Sequence, residues 1–300
     1  MSIQFRIVDA NGLQPYVAGL RELEREISYP IAEGADSFVI DHGVDYHPFF
    51  SEMGSKARFL VVLDKGEVVG SAVGVWKPSL ILGKEYTGLY FADLKLLPQY
   101  RGSNISSNIF WYAIARWPFV KDYQGWAFAF FAAMHGDRGD VKRSFSSFHL
   151  GQMTRPVAKL RVFFVSPLSL LQLGVGPEMP NSYQGILLSS PQLPLVKWND
   201  GKKDFRLRST GEPWKLAHVQ VFSSERQRLG ACLQEAGRQI QDISSDTLAC
   251  FAIDERLSEP ISWLAENKIV SDTLCTVYSI SFFAPSLRKG NFIVLSTGDI

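Results

Sequence analysis

The sequence predicts an α+β fold, a mixed and mostly antiparallel central sheet flanked by helices, with two such units in tandem. Three observations carry this. A hairpin pattern over 58–76 runs into a strand–helix–strand pattern over 86–134. A stretch rich in Pro, Gly and Ser interrupts the chain at 166–182. The element order of the first half then returns in the second, as a duplicated and diverged unit would.

The elements follow in order. Residues 5–9 alternate as a first strand, closed by Asn11-Gly12. Leu20, Leu23 and Ile27 recur at helical spacing over 15–27, with Arg21, Glu22 and Arg25 facing elsewhere, and Pro30 stops the helix. Residues 37–53 read as a short helix and a loop. The β-rich runs 58–63 and 67–76 are joined by Asp64-Lys65-Gly66, a hairpin turn by its chemistry. A third strand over 86–97 ends at Pro98. The period then switches, and Ile105, Ile109, Tyr112 and Ala113 share one stripe of a helix over 103–117. Ser103 or Asn104 is its N-cap. The unbroken apolar run 125–134 is a buried strand. A polar helix over 140–150 and a strand over 157–165 complete the half.

Residues 166–182 sustain no period and read as a linker, so the expected organisation is a domain over 1–165 and a second over 183–300. Strands follow at 185–189, 195–198 and 205–208, the last two as a hairpin around Asn199-Asp200-Gly201. A strand at 216–222, a helix at 224–241, a strand at 248–253, a short helix at 260–266 and strands at 274–283 and 292–295 repeat the earlier order.

Composition bounds the function. Of 300 residues, 46% are hydrophobic and 20% charged, enough to bury a substantial core. A formal charge of +1 supplies no overall field for nucleic acid or an acidic membrane, and neither is an expected partner. The three cysteines form no CxxC pair and make no disulfide framework. Residues 1–6 lack the apolar run of a secretory leader, and 125–134 is too short to span a bilayer. The expected compartment is the cytoplasm. The oligomeric state is left open.

The informative stretch is 92–106, Ala-Asp-Leu-Lys-Leu-Leu-Pro-Gln-Tyr-Arg-Gly-Ser-Asn-Ile-Ser. A strand ends at a proline, an irregular loop follows, and a helix opens on small polar residues. A helix start of this kind offers unpaired amides and the positive end of a dipole, a ready site for phosphate. Small side chains at Gly102, Ser103 and Ser106 let a pyrophosphate approach the backbone.

This stretch resembles the GNAT superfamily of CoA-dependent N-acyltransferases. In that family an acidic strand is followed by Pro-x-x-Arg-Gly-x-Gly-x-Gly and a helix. Asp93 falls on the acidic position, Pro98 on the proline and Arg101-Gly102 on the Arg-Gly, while Asn104 and Ser106 depart from the pattern where the family prefers Gly and then Gly or Ala. The resemblance in element order covers about residues 3–165. It implies that acetyl-CoA or another acyl-CoA lies along Leu94, Leu96 and Leu97, against the strand at 125–134. Its pyrophosphate would be cradled by Arg101, Gly102, Ser103, Asn104, Ile105 and Ser106. A small-molecule or peptide amine would enter beside residues 29–50. That segment carries Asp41, His42, Asp45, Tyr46 and His47, which are either solvated polar residues or metal ligands, the former being the ordinary outcome; no metal is expected.

By the same resemblance Asp93 is either the base that accepts the amine's proton or a carboxylate paired with Lys95 or Arg101. The family's acid, a Tyr, has no counterpart in 144–151, where Ser147 and His149 are either its substitutes or structural residues. The second half echoes the pattern at 216–221 and 226–231 but lacks the proline and the glycine register, so it reads as a degenerate copy that supplies a wall. His218 falls beside the position of Asp93 and is a core or surface histidine by default. Trp111, Tyr112, Trp117, Trp126, Phe128, Phe130 and Phe131 either form core or shape a pocket for a bulky acyl group. The chain is expected to be an N-acyltransferase, with an acyl-CoA sensor and a scaffold as the other readings.

Overall fold

The computed structural model describes residues 2–31, 36–101, 104–134, 154–181, 184–190, 192–223, 227–280, 287 and 290–300. In the first half the strands are β1 (Ile3–Val8), β2 (Tyr29–Ile31), β3 (Asp36–Asp41), β4 (Lys56–Asp64), β5 (Glu67–Ile81), β6 (Lys84–Leu96), β7 (Phe128–Met134) and β8 (Thr154–Val165). The second half adds β9 (Glu178–Met179), β10 (Ile186–Leu187), β11 (Val196–Trp198), β12 (Asp204–Leu207), β13 (Leu216–Val219), β14 (Gln227–Arg228), β15 (Leu248–Asp254), β16 (Thr273–Ile280) and β17 (Ile293–Val294). The helices are α1 (Val17–Glu26), α2 (Pro48–Met53), α3 (Ile105–Arg116), α4 (Pro167–Leu171), α5 (Leu229–Ile243) and α6 (Ser258–Glu266). Among the described residues, no helix is long and apolar enough to cross a membrane.

Strand alternation sets the layers. Along β4, Phe59, Val61 and Leu63 face a core shared with Val17 and Leu20 of α1, whereas Leu60 and Val62 face Ile105 and Ile109 of α3. Helices α1 and α3 therefore cover opposite faces of the sheet. A third core packs α5 through Leu229, Leu233, Ala236 and Ile240 against Ala217, Ala249 and Phe251.

Among the described residues the main sheet runs β1-β4-β5-β6-β7-β16-β8-β15-β13-β11, with β10 joined to β5 and β17 joined to β10. Its pairs are antiparallel except β6/β7, β13/β15 and β10/β17. The two halves interlock. Strand β16, late in the chain, lies between β7 and β8, while β8 pairs with both β16 and β15.

Two local expectations are corrected. Residues 195–208 do not form a hairpin: β11 pairs with β13, and β12 pairs with β3 in a separate sheet. The burial of Phe205 against Phe38 and Trp214 draws β12 away from its neighbour in sequence. The same pairing makes a strand of 36–41, where a helix and loop were expected. The stretch at 166–182 contains α4 and β9, with Leu170, Leu173 and Met179 buried in the third core. The expected helix over 140–150 lies outside the described residues.

Candidate functional site

Strands β6 and β7 pair in parallel over Gly88↔Phe128, Leu89↔Ala129 and Tyr90↔Phe130, and there the pairing ends. Both strands continue. Strand β6 stays bonded to β5 as far as Leu96, and β7 stays bonded to β16 as far as Met134. Each is held on its outer side and released on its inner side, so the two diverge as a wedge above Tyr90 and Phe130.

A β-bulge reshapes β6 on its side of the wedge. Val73 pairs with Ala92 and Ser71 with Lys95, so β6 spends one residue more than β5 over this interval. Asp93 takes up the excess at φ 52, a left-handed conformation that Asp tolerates better than most residues. The bulge changes which side chains face which layer. Tyr90 and Ala92 pack into the α1 core, and a regular strand would send residues 94 and 96 there as well. Instead Leu96 packs beneath α3, while Asp93 and Lys95 point to the α1 side.

There they meet Glu24 of α1 and His42 and Tyr46 from the segment after β3. Lys95 Nζ lies 2.7 Å from Asp93 Oδ1 and 3.0 Å from Glu24 Oε1. Glu24 bonds His42 twice, accepting from its backbone N–H at 3.2 Å and contacting its Nδ1. Tyr46, at φ 61, donates its phenol to Asp93 Oδ2, and Ser71 donates to the Asp93 carbonyl at 3.1 Å. Every member of this network except the surface of Asp93's backbone is buried.

The charges are set by the partners. Burial works against the Asp93 carboxylate, but Lys95 and His42 outweigh it and hold its pKa below the ordinary carboxylate value. Burial likewise opposes the Lys95 ammonium, and Asp93, Tyr29 and Glu24 reverse that, raising its pKa. Burial pushes the His42 pKa below its ordinary value, pushes Tyr29 up to about 12 and raises Tyr46 well above the ordinary phenol value. Donor atoms of Glu24, His42 and Asp93 lie within 4.8 Å of one another, a spacing that suits a cation. The Lys95 ammonium already stands between the two carboxylates, so the cluster is a poor fit for a metal. Of the other candidates in 41–47, Asp41 Oδ1 accepts from Gly43 N at 2.8 Å, and His47 precedes α2 beside Ser51.

The remaining expected positions divide clearly. Leu94 is 44% exposed and Leu96 is buried under α3. The Leu97 amide returns to β5 through Val69 O at 3.0 Å. Arg101 is exposed and bonds Leu96 O through Nε at 3.1 Å. The Asn104 carbonyl accepts from Asn108 N at 2.9 Å, so Asn104 is the residue at which α3 begins, and Ile105 buries the first turn. Ser106 lies in that turn. Gly102, Ser103, Ser147 and His149 lie outside the described residues.

The second half has its own parallel pair, β13/β15, which ends at His218↔Cys250 while β15 runs on to Asp254. Here the chain itself occupies the gap. Thr297 Oγ1 donates to Cys250 O at 2.9 Å and contacts His218 Nδ1 at 3.1 Å. Its single proton is used on Cys250, so His218 Nδ1 must be the donor and Nε2 carries the lone pair. Asn199 donates to Gly298 O at 3.0 Å, and Asp299 binds Lys77 at 2.7 Å and Lys197 at 3.0 Å. Burial, Lys203 and Lys197 push His218 down to about 3, and burial pushes Lys203 down to about 8. Lys203 donates to Ile300 O and sits 4.8 Å above the Phe49 ring, which in turn packs on His42. The filled second wedge thus abuts the charged network of the first.

Glu24 is the member that sequence reasoning missed; His42 and Tyr46 were expected only within the segment beside the amine, and Lys95 only as a partner of Asp93. Glu24 stands among Arg21, Glu22 and Arg25 on a helix whose polar residues read as a solvated face. The one available signal was Lys95, a charge two residues from Asp93 in an otherwise apolar strand.

No protein-family model matches the sequence, and no curated protein matches it. Solved structures do. The tandem GNAT protein from the clavulanic acid biosynthesis pathway, determined without acetyl-CoA, superposes with a TM-score of 0.54 at 13% identity, over 93% of this chain and 98% of that one. The N-myristoyltransferase of Saccharomyces cerevisiae with bound myristoyl-CoA gives a TM-score of 0.53 at 9% identity, over 93% of this chain and 83% of that one. The interlocked sheet, the parallel pairs β6/β7 and β13/β15 that end early in each half, and these likenesses agree: the chain has a tandem GNAT fold.

Proposed function

We propose that this chain is an acyl-CoA-dependent N-acyltransferase, moving an acyl group, acetyl in the simplest case, to an amine on a small molecule or peptide. The observation that carries this reading is the release of β6 from β7 above Tyr90 and Phe130. Beyond Tyr90 the inner side of β6 is no longer paired with β7, and the pantetheine would lie along it, much as a peptide lies along an edge strand. The positive end of the α3 dipole, at the turn that opens on Asn104, faces the pyrophosphate, with Arg101 beside it. On the opposite face, Tyr29, His42, Tyr46, Asp93 and Lys95 border the approach of the amine.

In the transfer, the acceptor nitrogen attacks the thioester carbonyl carbon, the C–S bond breaks and the thiolate leaves with the electron pair. A proton must leave the nitrogen and one must reach the sulfur. Asp93 has both oxygens engaged and a lowered pKa, which makes it a weak proton acceptor. In this reading it fixes Lys95 and Tyr46 at the edge of the wedge. The amine arrives neutral, its ammonium proton lost to water, and the further proton shed by the nitrogen after attack also passes to water while the thiolate takes one up. Ser147 and His149 are the candidates for protonating the thiolate.

Calorimetric titration with acetyl-CoA, followed by thiol release across a panel of amines, tests the proposal. Binding with turnover supports it; no binding at millimolar acetyl-CoA contradicts it. The engaged state of Asp93 also favours a second reading, an acyl-CoA sensor on the same fold, for which binding without turnover is the expected result.

A further inference from the structure

Resting on the acyltransferase reading, we infer that the stacked rings of Tyr90 and Phe130 floor the β6–β7 wedge and restrict the donor to a short acyl group. The floor lies at the last paired residues of the two strands. The rings stack at 5.0 Å between centroids and are tilted by 26°. Both residues are almost wholly buried.

Nothing beneath them yields easily. Phe128 stacks on Phe130 at 5.9 Å and fills the space over Gly88, where a Cβ would meet Phe128 Cζ at 2.8 Å and Phe130 Cε1 at 3.1 Å. On its other flank the Tyr90 ring carries Lys77 Nζ at 5.2 Å, and Lys77 is fixed by the buried Asp299. Rotating Tyr90 aside would break the stack and strip a buried ammonium of its ring contact. The opposite face at this level is closed by Leu89, Ala129, Trp76 and Ile280.

Directly above the floor the lining changes character. On the α1 side the first residues after the parting are Ala92 of β6 and Ala132 of β7, both packed on the edge of the core that holds Tyr90 and Phe130. Small side chains above a rigid aromatic floor leave room for a thioester carbonyl and a few carbons. A longer chain pointing down the wedge would have to overpack a core already at close-packed density. Phe128 and Phe130 are therefore the end of the acyl site rather than a container for a bulky chain.

The test is calorimetry of the intact chain with CoA, acetyl-CoA, butanoyl-CoA, octanoyl-CoA and myristoyl-CoA. Acetyl-CoA and butanoyl-CoA are expected to bind within a few-fold of each other, with octanoyl-CoA and myristoyl-CoA at least about tenfold weaker, the size of an overpacking penalty. The conservative variant Phe130→Leu is expected to narrow that gap by improving octanoyl-CoA relative to acetyl-CoA. Octanoyl-CoA or myristoyl-CoA binding as tightly as acetyl-CoA to the unaltered chain would overturn the inference and leave the acyltransferase reading standing. Failure of every thioester to bind would overturn both.

Discussion

Asp93 Oδ1 and Lys95 Nζ are 2.7 Å apart on the α1 side of a strand whose regular alternation would turn both residues to the α3 side. The bulge at Asp93 creates this pair, and with Glu24 it completes a buried triad of two carboxylates around one ammonium. Removing the ammonium alone leaves two buried carboxylates without the lysine cation between them. Lys95→Met is accordingly expected to cost about 3–5 kcal/mol in chemical denaturation, and Lys95→Met with Glu24→Gln and Asp93→Asn to recover much of that. A single variant within 1 kcal/mol of wild type, a bound of about the size of an exposed pair, would show the triad to be solvated.

The backbone at the bulge makes its own prediction. At φ 52, Asp93→Val places a β-branched side chain in the left-handed region, whereas Asp93→Gly relieves it. Both lose the carboxylate, so the gap between them isolates conformation. Val is expected to be less stable than Gly by about 1–3 kcal/mol, measured by denaturant titration.

Proton transfer gives a kinetic prediction. With the Asp93 pKa held below the ordinary carboxylate value, no ionisation of this residue falls in the working range. The plot of kcat/KM against pH is expected to rise along the titration of the acceptor amine itself. A limb at about pH 5–7 that vanishes in Asp93→Asn would instead make Asp93 the proton acceptor, as the motif alone suggested.

Stability should fall in mild acid. His218 is held near 3 in the folded chain against an ordinary value of 6.5. Below 6.5 the unfolded chain gains a proton that the folded chain refuses, so this residue destabilises the fold as pH drops from 6.5 towards 3. The limiting slope is about 1.4 kcal/mol per pH unit, and His42, also buried and lowered, acts in the same direction. His218→Gln is expected to flatten the melting temperature between pH 6.5 and 4.5 relative to wild type. An unchanged slope would place the imidazole in contact with water.

How much of this was legible depended on distance along the chain. The switch from period two to period 3.6 at Ser103, the Asp64-Lys65-Gly66 turn and the apolar run of β7 are local, and each located its element to within a few residues. The bulge was not legible, because a single Asp in a left-handed conformation leaves no periodic trace. Nor was the burial of Glu24, which acquires its partners only when His42 and Lys95 arrive from other elements. The pairing of β12 with β3 and the insertion of β16 between β7 and β8 join residues far apart in sequence, beyond the reach of local pattern.

The account stands on acyl-CoA lying in the first wedge and not in the second, which residues 293–300 already fill. Hydrogen–deuterium exchange with and without saturating acetyl-CoA tests this directly. Amides of 91–97 and of the first turn of α3 are expected to gain protection, with 216–222 and 248–254 unchanged. Protection confined to the second pair of segments, or absent from 91–97, would contradict it.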